Sequence, residues 1–224
     1  MKRYMISLFL LVCIPIFLIA QEPVALTMKV KGSVELTRER QVQELKVGAE
    51  ILNNDVLKTG NDSFAALRFI DGSSLVRLFP NSLLEIKTEV KNRQLQKKNS
   101  LKLGELWSQI TGREGTYEVE TPTTVVSVKG TSFLVAVDER GFTDLYTFEG
   151  QVQMENKLDG RTVLVEAGYH ASSSGSGEIE IIEFDPEEMG DEVEDPFGEE
   201  TGETLEIRLK NAEGEGKSVK IILE

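Results

Sequence analysis

Short runs in which apolar and polar residues alternate constrain the fold of this chain more than any other sequence feature. In the run Ala65–Phe69, every second residue is apolar, which is typical of a β-strand with one buried face. The dipeptide Asp71-Gly72 follows and supplies the backbone conformation of a tight hairpin turn. The run Ser74–Leu78 then repeats the alternation, so the three segments together predict a β-hairpin.

The same alternation recurs along most of the chain and predicts an all-β fold. Further alternating runs are Leu84–Ile86, Tyr117–Thr121, Val126–Val128, Phe133–Val137, Tyr146–Phe148 and Val152–Met154. All 19 Gly residues lie after residue 31, and short strands between regularly spaced Gly turns are typical of a sandwich, barrel or solenoid. The stretch from Leu101 to Ile110 is the single candidate for a short helix.

The first twenty residues predict a secretory signal peptide. Lys2 and Arg3 precede an uncharged apolar run from Tyr4 to Ala20, and polar residues begin at Gln21. We therefore expect cleavage after Ala20 and export to the periplasm, the cell surface or the medium. The alternative is an uncleaved anchor, since the apolar run has about the minimum length that spans a bilayer.

Charge and cysteine content exclude several functional classes. The net charge is −13, and removal of Lys2 and Arg3 with the signal peptide leaves 23 basic and 38 acidic residues. Nucleic acids and anionic membrane surfaces need a basic footprint, so neither is an expected partner. Cys13, the only cysteine, lies in the apolar run. The mature chain therefore has no disulfide, thiol nucleophile, iron–sulfur cluster or cysteine-based zinc site.

The composition changes near residue 172. The Ser/Gly-rich segment Ser172–Gly177 predicts a linker, and the segment Glu178–Glu206 contains 14 acidic residues and no basic one. Such a segment is predicted to be a solvated acidic arm. Leu205–Leu209 and Val219–Leu223 then alternate on either side of a Gly-rich turn, which predicts a closing hairpin. Because an isolated hairpin is marginally stable in water, we expect it to dock on the main body or on another chain.

A set of short motifs occurs in a fixed order within residues 48–82, 117–135, 148–152 and 163–168. The motifs are Thr59-Gly60, Asp71-Gly72-Ser73, Pro80, Thr121-Pro122, Gly130-Thr131 and Glu149-Gly150. Together they closely resemble the FecR domain, the sensor module of envelope regulators and of many exported proteins without an assigned role. The resemblance covers roughly Val24 to Ala171 and implies an all-β domain of short strands, built as a solenoid-like structure or a roll.

Four segments follow from these patterns. Residues 1–20 are predicted to be the signal peptide and residues 24–171 the FecR-like β domain. Residues 172–203 are predicted to be the Ser/Gly linker and the acidic low-complexity arm, and residues 204–224 the C-terminal β-hairpin.

Two features depart from the regulators of this family. Such regulators carry a cytoplasmic segment that holds a sigma factor, whereas only Met1, Lys2 and Arg3 precede the apolar run here. Regulators that sense an outer-membrane transporter also carry a further subdomain, and residues 183–224 are too few and too acidic to resemble it. We therefore do not expect the sigma-regulating role to carry over.

The motif residues are interpreted as structural. Asp71-Gly72 makes a turn, and Pro122, which cannot donate to a sheet, suits the entry to a strand. Gly130 within a Val-rich run predicts a β-bulge or a close backbone approach, and Thr131 is expected to cap the backbone groups that are freed there.

Three groups of residues are candidates for chemistry. His170, the only histidine, forms a nominal triad with Ser172 and an aspartate but follows no nucleophile motif, so we interpret it as a partly exposed residue at a strand end. Trp107, the only tryptophan, either stacks on a sugar or, in the favoured interpretation, packs as a half-buried side chain. A cluster of carboxylates suits Ca²⁺ by ligand type, but its spacing is not that of a regular calcium loop. Its members are Asp185, Glu187, Glu188, Asp191, Glu192, Glu194 and Asp195.

A basic stretch without intervening acids forms the last candidate. It consists of Lys91, Arg93, Lys97, Lys98 and Lys102. This stretch is either a binding surface for polyanions or for the acidic arm, or a solvated basic loop.

The sequence favours a non-enzymatic, exported FecR-domain protein that binds or scaffolds a protein or a polysaccharide in the cell envelope. The alternative is a sensor that transmits signals through an uncleaved anchor. A carbohydrate-active enzyme is the third hypothesis and requires a cleft with two facing carboxylates. We predict no catalytic, cofactor-binding or metal-binding residue and no cofactor.

Overall fold

A computed structural model describes residues 21–111, 115–185, 204–210 and 216–222. These residues form twenty β-strands. The strands are β1 (Ala25–Lys31), β2 (Val34–Arg38), β3 (Gln41–Glu44), β4 (Glu50–Ile51), β5 (Val56–Thr59), β6 (Phe64–Phe69), β7 (Ser74–Leu78), β8 (Leu83–Glu85), β9 (Thr88–Lys91), β10 (Gln94–Ile110), β11 (Tyr117–Glu120), β12 (Thr124–Val128), β13 (Ser132–Val137), β14 (Thr143–Glu149), β15 (Gln151–Asn156), β16 (Thr162–Glu166), β17 (Tyr169–Ser173), β18 (Ile179–Glu183), β19 (Thr204–Lys210) and β20 (Gly216–Ile222). The prediction of an all-β fold is confirmed.

Strands β1–β18 form one long sheet that curls into two layers. Layer A has the strand order β4-β1-β6-β7-β10-β13-β14-β17-β18. Layer B has the order β3-β2-β5-β8-β10-β11-β12-β15-β16, with β9 on the first part of β10. Among the described strands, only the pair β10–β11 is parallel.

Two sets of four consecutive strands fold back in the same way. In the first set, β6 and β7 pair in layer A while β5 and β8 pair in layer B. In the second set, β13 and β14 pair in layer A while β12 and β15 pair in layer B. Each set is thus a long hairpin folded across its middle, which is the roll-like arrangement that the resemblance implied.

The core lies between the two layers. One cluster of buried side chains includes Leu67 and Val135 from layer A together with Leu84 and Val126 from layer B. The burial of each such side chain contributes about 1.5–3 kcal/mol. The alternation in the sequence therefore holds the layers together, because in most strands every second residue faces this core.

The predicted helix over Leu101 to Ile110 is wrong. These residues form the second part of β10, a strand of 17 residues that crosses from layer B to layer A. A register irregularity between Leu101 and Leu103 marks the crossing. At the crossing, the core-facing positions change from odd-numbered residues such as Leu101 to even-numbered residues such as Leu106. The two-residue periodicity of a strand is therefore interrupted in the sequence.

The hairpin predicted at Asp71-Gly72 is confirmed. Strands β6 and β7 pair antiparallel on either side of it, with Leu67 opposite Val76. The side chain of Asp71 accepts a hydrogen bond from the backbone N–H of Ser73 (3.2 Å). The motif thus acts as a turn, as we predicted.

Thr59 also has a structural role. Its hydroxyl donates to the carbonyl oxygen of Phe79 (2.5 Å) and accepts from the backbone N–H of Ser82 (2.9 Å). Both partners lie in the connection between β7 and β8, so the hydroxyl ties the end of β5 to the point where the chain passes from layer A to layer B.

The expectations for Gly130 and Thr131 require correction. Gly130 lies in the bend between β12 and β13 rather than inside a strand, and the nearby register irregularity falls between Ser132 and Phe133. The hydroxyl of Thr131 is buried without a hydrogen-bond partner. It is the carbonyl oxygen of Thr131 that bonds, accepting from the backbone N–H of Ile110 (2.8 Å).

Layer A continues beyond Ala171, so the predicted linker from Ser172 to Gly177 is wrong in its first residues. Ser172 and Ser173 end strand β17, and the buried hydroxyl of Ser173 accepts a hydrogen bond from the Asn156 side chain (2.8 Å). A Ser-rich segment can enter a core when its hydroxyls find partners. The strand β18 (Ile179–Glu183) follows after a short turn and pairs with β17. The prediction of a solvated acidic arm is therefore wrong for these first residues of the segment.

Strands β19 and β20 pair antiparallel as a second, separate sheet, with Ile207 opposite Val219. The signal peptide and residues 186–203 of the acidic arm lie outside the described residues. Within the described part, no helix has the length and apolar character that a membrane crossing requires.

Tyr117 links the two halves of β10 through the core. Its hydroxyl and that of Ser108 lie 2.9 Å apart, and its ring meets those of Phe69 and Phe133 edge-on. Burial raises the pKa of Tyr117 to about 12, although the hydrogen bonds to its side chain oppose that shift.

We expect a loss of stability at high pH that depends on Tyr117. The unfolded chain releases this proton near pH 10, whereas the folded chain keeps it until about pH 12. The free energy of unfolding should therefore fall between these pH values, by about 3 kcal/mol from this group. Chemical unfolding at pH 9 and pH 11.5 should show a smaller pH-dependent loss in Tyr117→Phe than in the parent chain. An equal loss in both would contradict the assignment.

Candidate functional site

The outer face of layer A, which points away from the core, carries a second group of packed aromatic residues. Phe79, Trp107 and Leu134 are buried, and Tyr146 and Phe148 pack against them. We call these five residues the outer aromatic cluster. In the sheet register, Trp107 lies opposite Leu134, and Leu134 lies opposite Tyr146. The cluster therefore spans three neighbouring strands of layer A.

Arg77 borders the cluster on one side. It lies opposite Trp107 in the register of β7 and β10. Its guanidinium carbon is 4.3 Å from the ring centre of Phe64 and 4.6 Å from that of Phe79. Stacking of this kind orders a long side chain and combines a positive charge with aromatic surface.

His170 and Asp144 border the cluster on the opposite side. The rings of Tyr146 and His170 are stacked, with centres 4.3 Å apart. The Nε2 atom of His170 lies 2.9 Å from a carboxylate oxygen of Asp144. Phe184 meets the rings of Tyr146 and Phe148 edge-on, so it covers this end of the cluster.

The surroundings of Tyr146 favour its neutral form. Burial raises the pKa of its phenol, and the nearby carboxylates Asp144 and Glu105 raise it further. At neutral pH the side chain is thus an uncharged hydrogen-bonding group at the rim of an aromatic surface. Such amphipathic aromatic residues are frequent in protein interfaces.

The sequence candidates are only partly brought together. Trp107 is 4% exposed, so its ring packs in the cluster, which agrees with the favoured interpretation and leaves no free face for a sugar. His170 and Ser172 both lie in the strand β17, so Ser172 is not on the sharp turn between a strand and a helix that exposes a nucleophilic serine. Within the described residues, the hydrogen-bond partner of the imidazole is Asp144 rather than Ser172.

Not all of the basic stretch is available for binding. Lys97 faces inward, and its ammonium group donates to Asp71 and, at 2.8 Å, to the hydroxyl of Ser73. The ammonium of Lys98, the next residue, is 3.7 Å from the Glu118 carboxylate. Lys97 is therefore excluded from the predicted polyanion-binding surface. Lys91, Arg93, Lys98 and Lys102 are exposed, so the hypothesis stays a prediction for these four residues.

The described ranges contain no group of three or more potential metal-ligating side chains. Of the predicted carboxylate cluster only Asp185 is described, and the others lie outside the described residues. The calcium hypothesis thus stays a prediction.

Sequence reasoning missed the outer aromatic cluster as a unit. Tyr146 and Phe148 belong to one alternating run, but Phe79 and Trp107 lie far from it in the chain, and only Trp107 was named as a candidate. A signal was present in β14, because Leu145 on one face and Tyr146 and Phe148 on the other make both faces of that strand apolar. Their neighbours across the sheet could be found only from the strand order.

Comparison with known proteins supports the family resemblance. Residues 55–153 match the family model described as FecR protein. No curated protein matches the chain significantly. Two crystal structures, at 1.65 Å and 2.50 Å resolution, resemble it, both of a protein described as a putative anti-sigma factor from Parabacteroides distasonis ATCC 8503.

The likeness to these two structures shows the fold. They match with TM-scores of 0.52 and 0.51 and 18% sequence identity, and the alignments cover 60% of this chain. The chain spans 62% of the length of the crystallised protein. Together with the family match, the likeness confirms the predicted FecR-type all-β fold.

Proposed function

Because residues 55–153 match the FecR family, we propose that this chain is an exported, non-enzymatic FecR-domain protein that takes part in signalling at the cell envelope. In this proposal it acts by binding another protein through the outer aromatic cluster and its rim. The family match supports the signalling role over that of a passive scaffold. The apolar N-terminal run supports the export.

The observation that carries the proposal is the outer aromatic cluster itself. A soluble sheet usually exposes polar side chains on the face that does not contact the core. Here that face carries the partly exposed rings of Tyr146 and Phe148, packed on the buried Trp107, and Arg77 lies at the border of the cluster. Tyr and Arg, which are partly exposed here, are among the residues that most often dominate binding energy in protein interfaces.

A protein partner fits this surface better than a polysaccharide does. Sugar rings stack on open aromatic faces, but one face of Tyr146 is covered by His170 and the ring of Trp107 is buried. The rim offers charged groups on both sides, Arg77 on one and Asp144 on the other. Such a surface, apolar in the centre and charged at the rim, is typical of protein interfaces.

Site-specific photo-crosslinking in the native envelope tests the proposal. A photoreactive side chain placed at Phe148, at the edge of the cluster, should yield one crosslinked protein. The matched control is the same group at Leu164, an exposed residue on the outer face of layer B, which should yield none. Excess purified parent chain should compete for the partner and suppress the crosslinked product. A Tyr146→Ser chain should need about a tenfold higher concentration for the same suppression, which is the loss typical of one interface hot spot.

The outcomes separate signalling from scaffolding. In the signalling proposal the crosslinked partner is a membrane-spanning or regulatory protein, and the Tyr146→Ser chain changes transcription in the host. A partner with unchanged transcription would favour the binding or scaffolding role. Equal crosslinking from Phe148 and Leu164 would overturn the proposed surface. The intact mass of the membrane-bound protein distinguishes an anchored from a cleaved chain, since an anchor retains residues 1–20.

A further inference from the structure

Strand β18 is the last strand of layer A. One edge of β18 pairs with β17, with Ala171 opposite Ile181. In the part of the chain that the structure describes, no strand pairs with the other edge. An unpaired strand edge presents a row of free backbone donors and acceptors, and it readily accepts a further strand.

The core is also open beside this edge. Ile179 of layer A and Val163 of layer B pack against the core but stay partly exposed. Ile181, on the same face of β18 as Ile179, is 39% exposed. The apolar interior of the sandwich therefore reaches solvent between β18 and β16.

The C-terminal strands have the pattern that would close this opening. The register of β19 and β20 places Leu205 opposite Ile221 and Ile207 opposite Val219. These alternate positions share one face of the two-stranded sheet, and a sheet of two strands with an apolar face is marginally stable in water. The pair therefore needs an apolar surface to cover.

Charge complementarity selects the edge of β18 as that surface. Glu180 and Glu183 lie on β18, which carries no basic residue. Arg208 and Lys210 lie on β19 with one acidic residue, Glu206, and β20 adds Lys217 and Lys220, so the two strands together are basic. Opposite charges on neighbouring strands stabilise their pairing, whereas like charges oppose it.

We propose that β19 adds antiparallel to the free edge of β18 in the same molecule, so that the C-terminal strands close the open side of the sandwich. Residues 186–203 connect the two elements and can reach about 60 Å when extended, which is ample for this return. Such a tether gives a local concentration in the millimolar range. At micromolar protein concentration, β19 of the same chain therefore pairs with the edge of β18 in preference to β19 of a second copy.

Engineered cysteine pairs test the inference. Ile181→Cys is combined in turn with Leu205→Cys, Ile207→Cys and Leu209→Cys, in a full chain whose own cysteine is replaced by Cys13→Ser. At micromolar concentration we expect mild oxidation to give an internal disulfide in at least one combination. The matched control is Glu180→Cys with the same partners, because Glu180 points to the opposite face of β18 and should form no bond.

The remaining outcomes decide between occupants. Disulfide-linked dimers in place of internal bonds would assign the edge to a second copy and overturn pairing within one molecule. No bond in any combination would overturn the inference entirely. A charge test adds a second measurement: Arg208→Glu should lower the yield of the internal bond about threefold, and Glu180→Arg should restore it. A yield insensitive to both changes would contradict the complementarity.

Discussion

Gly104→Ala should lower the free energy of unfolding by about 3 kcal/mol, one of the largest effects that we expect from a single added methyl group. Gly104 lies where β10 crosses between the layers, with φ at +86°. This conformation costs a residue with a Cβ about 1–2 kcal/mol. The added Cβ would lie 2.5 Å from the Cα of Ser82 and closer still to its hydroxyl. Forcing the two backbones apart adds about 1–3 kcal/mol.

Gly160→Ala is the matched control. Gly160 has a similar φ of +69°, but a Cβ there would meet no atom within 4 Å. The control should therefore lose only the conformational part, about 1 kcal/mol. Thermal or urea unfolding of the two variants measures the difference. Ser82→Gly should not rescue Gly104→Ala, because the conflict with the backbone of residue 82 remains. Equal losses in the two glycine variants would contradict the close approach.

Asp71→Ala should destabilise the fold by about 2–3 kcal/mol, because it leaves the charge of Lys97 without its carboxylate. The side chain of Lys97 is 2% exposed, and its ammonium group lies over the ring of Phe69, 5.4 Å from its centre. Only the hydroxyl of Ser73 would remain as a close polar partner among the contacts described above. Asp71 is itself partly exposed, so the loss should fall below the largest values known for buried ion pairs.

Asp159→Ala provides a closely matched comparison. Asp159 also lies in a turn, also accepts a bond from the backbone N–H two residues later, and also pairs with a basic side chain, that of Arg161. The difference is that Arg161 is 58% exposed. We expect a loss below about 1 kcal/mol there. Adding Lys97→Met to Asp71→Ala should recover most of the stability, since it removes the stranded charge. No recovery would show that Asp71 acts through its turn alone.

Much of the architecture could be predicted from local sequence. Alternation identified strands such as β6, β7 and β12, because each has one face toward the core. Asp71-Gly72 fixed the position of a hairpin, since few other dipeptides adopt that backbone conformation without strain. The order of these motifs was specific enough to indicate the FecR domain, and the family match confirms it.

The errors occurred where a strand leaves one layer for the other. Within β10, the inward positions change from odd to even numbers, so Leu101 and Leu106 both face the core although they are five residues apart. No local sequence pattern predicts such a change, so the segment was interpreted as a candidate helix. Local sequence also did not predict the burial of the Ser173 hydroxyl, because that burial depends on a hydrogen bond to the side-chain amide of Asn156, 17 residues earlier in the chain.

The sequence by itself thus determined the fold class and the main turns, because strand periodicity and turn conformation depend on neighbouring residues. Only the tertiary structure decided which face each side chain occupies around Gly104 and which strands become neighbours. Those two decisions place Trp107 on the outer face beside Leu134, with Tyr146 one strand further, and place Lys97 inside against Asp71. The reason is physical: pairing between distant strands sets the register, and a shift of one residue moves every side chain to the opposite face.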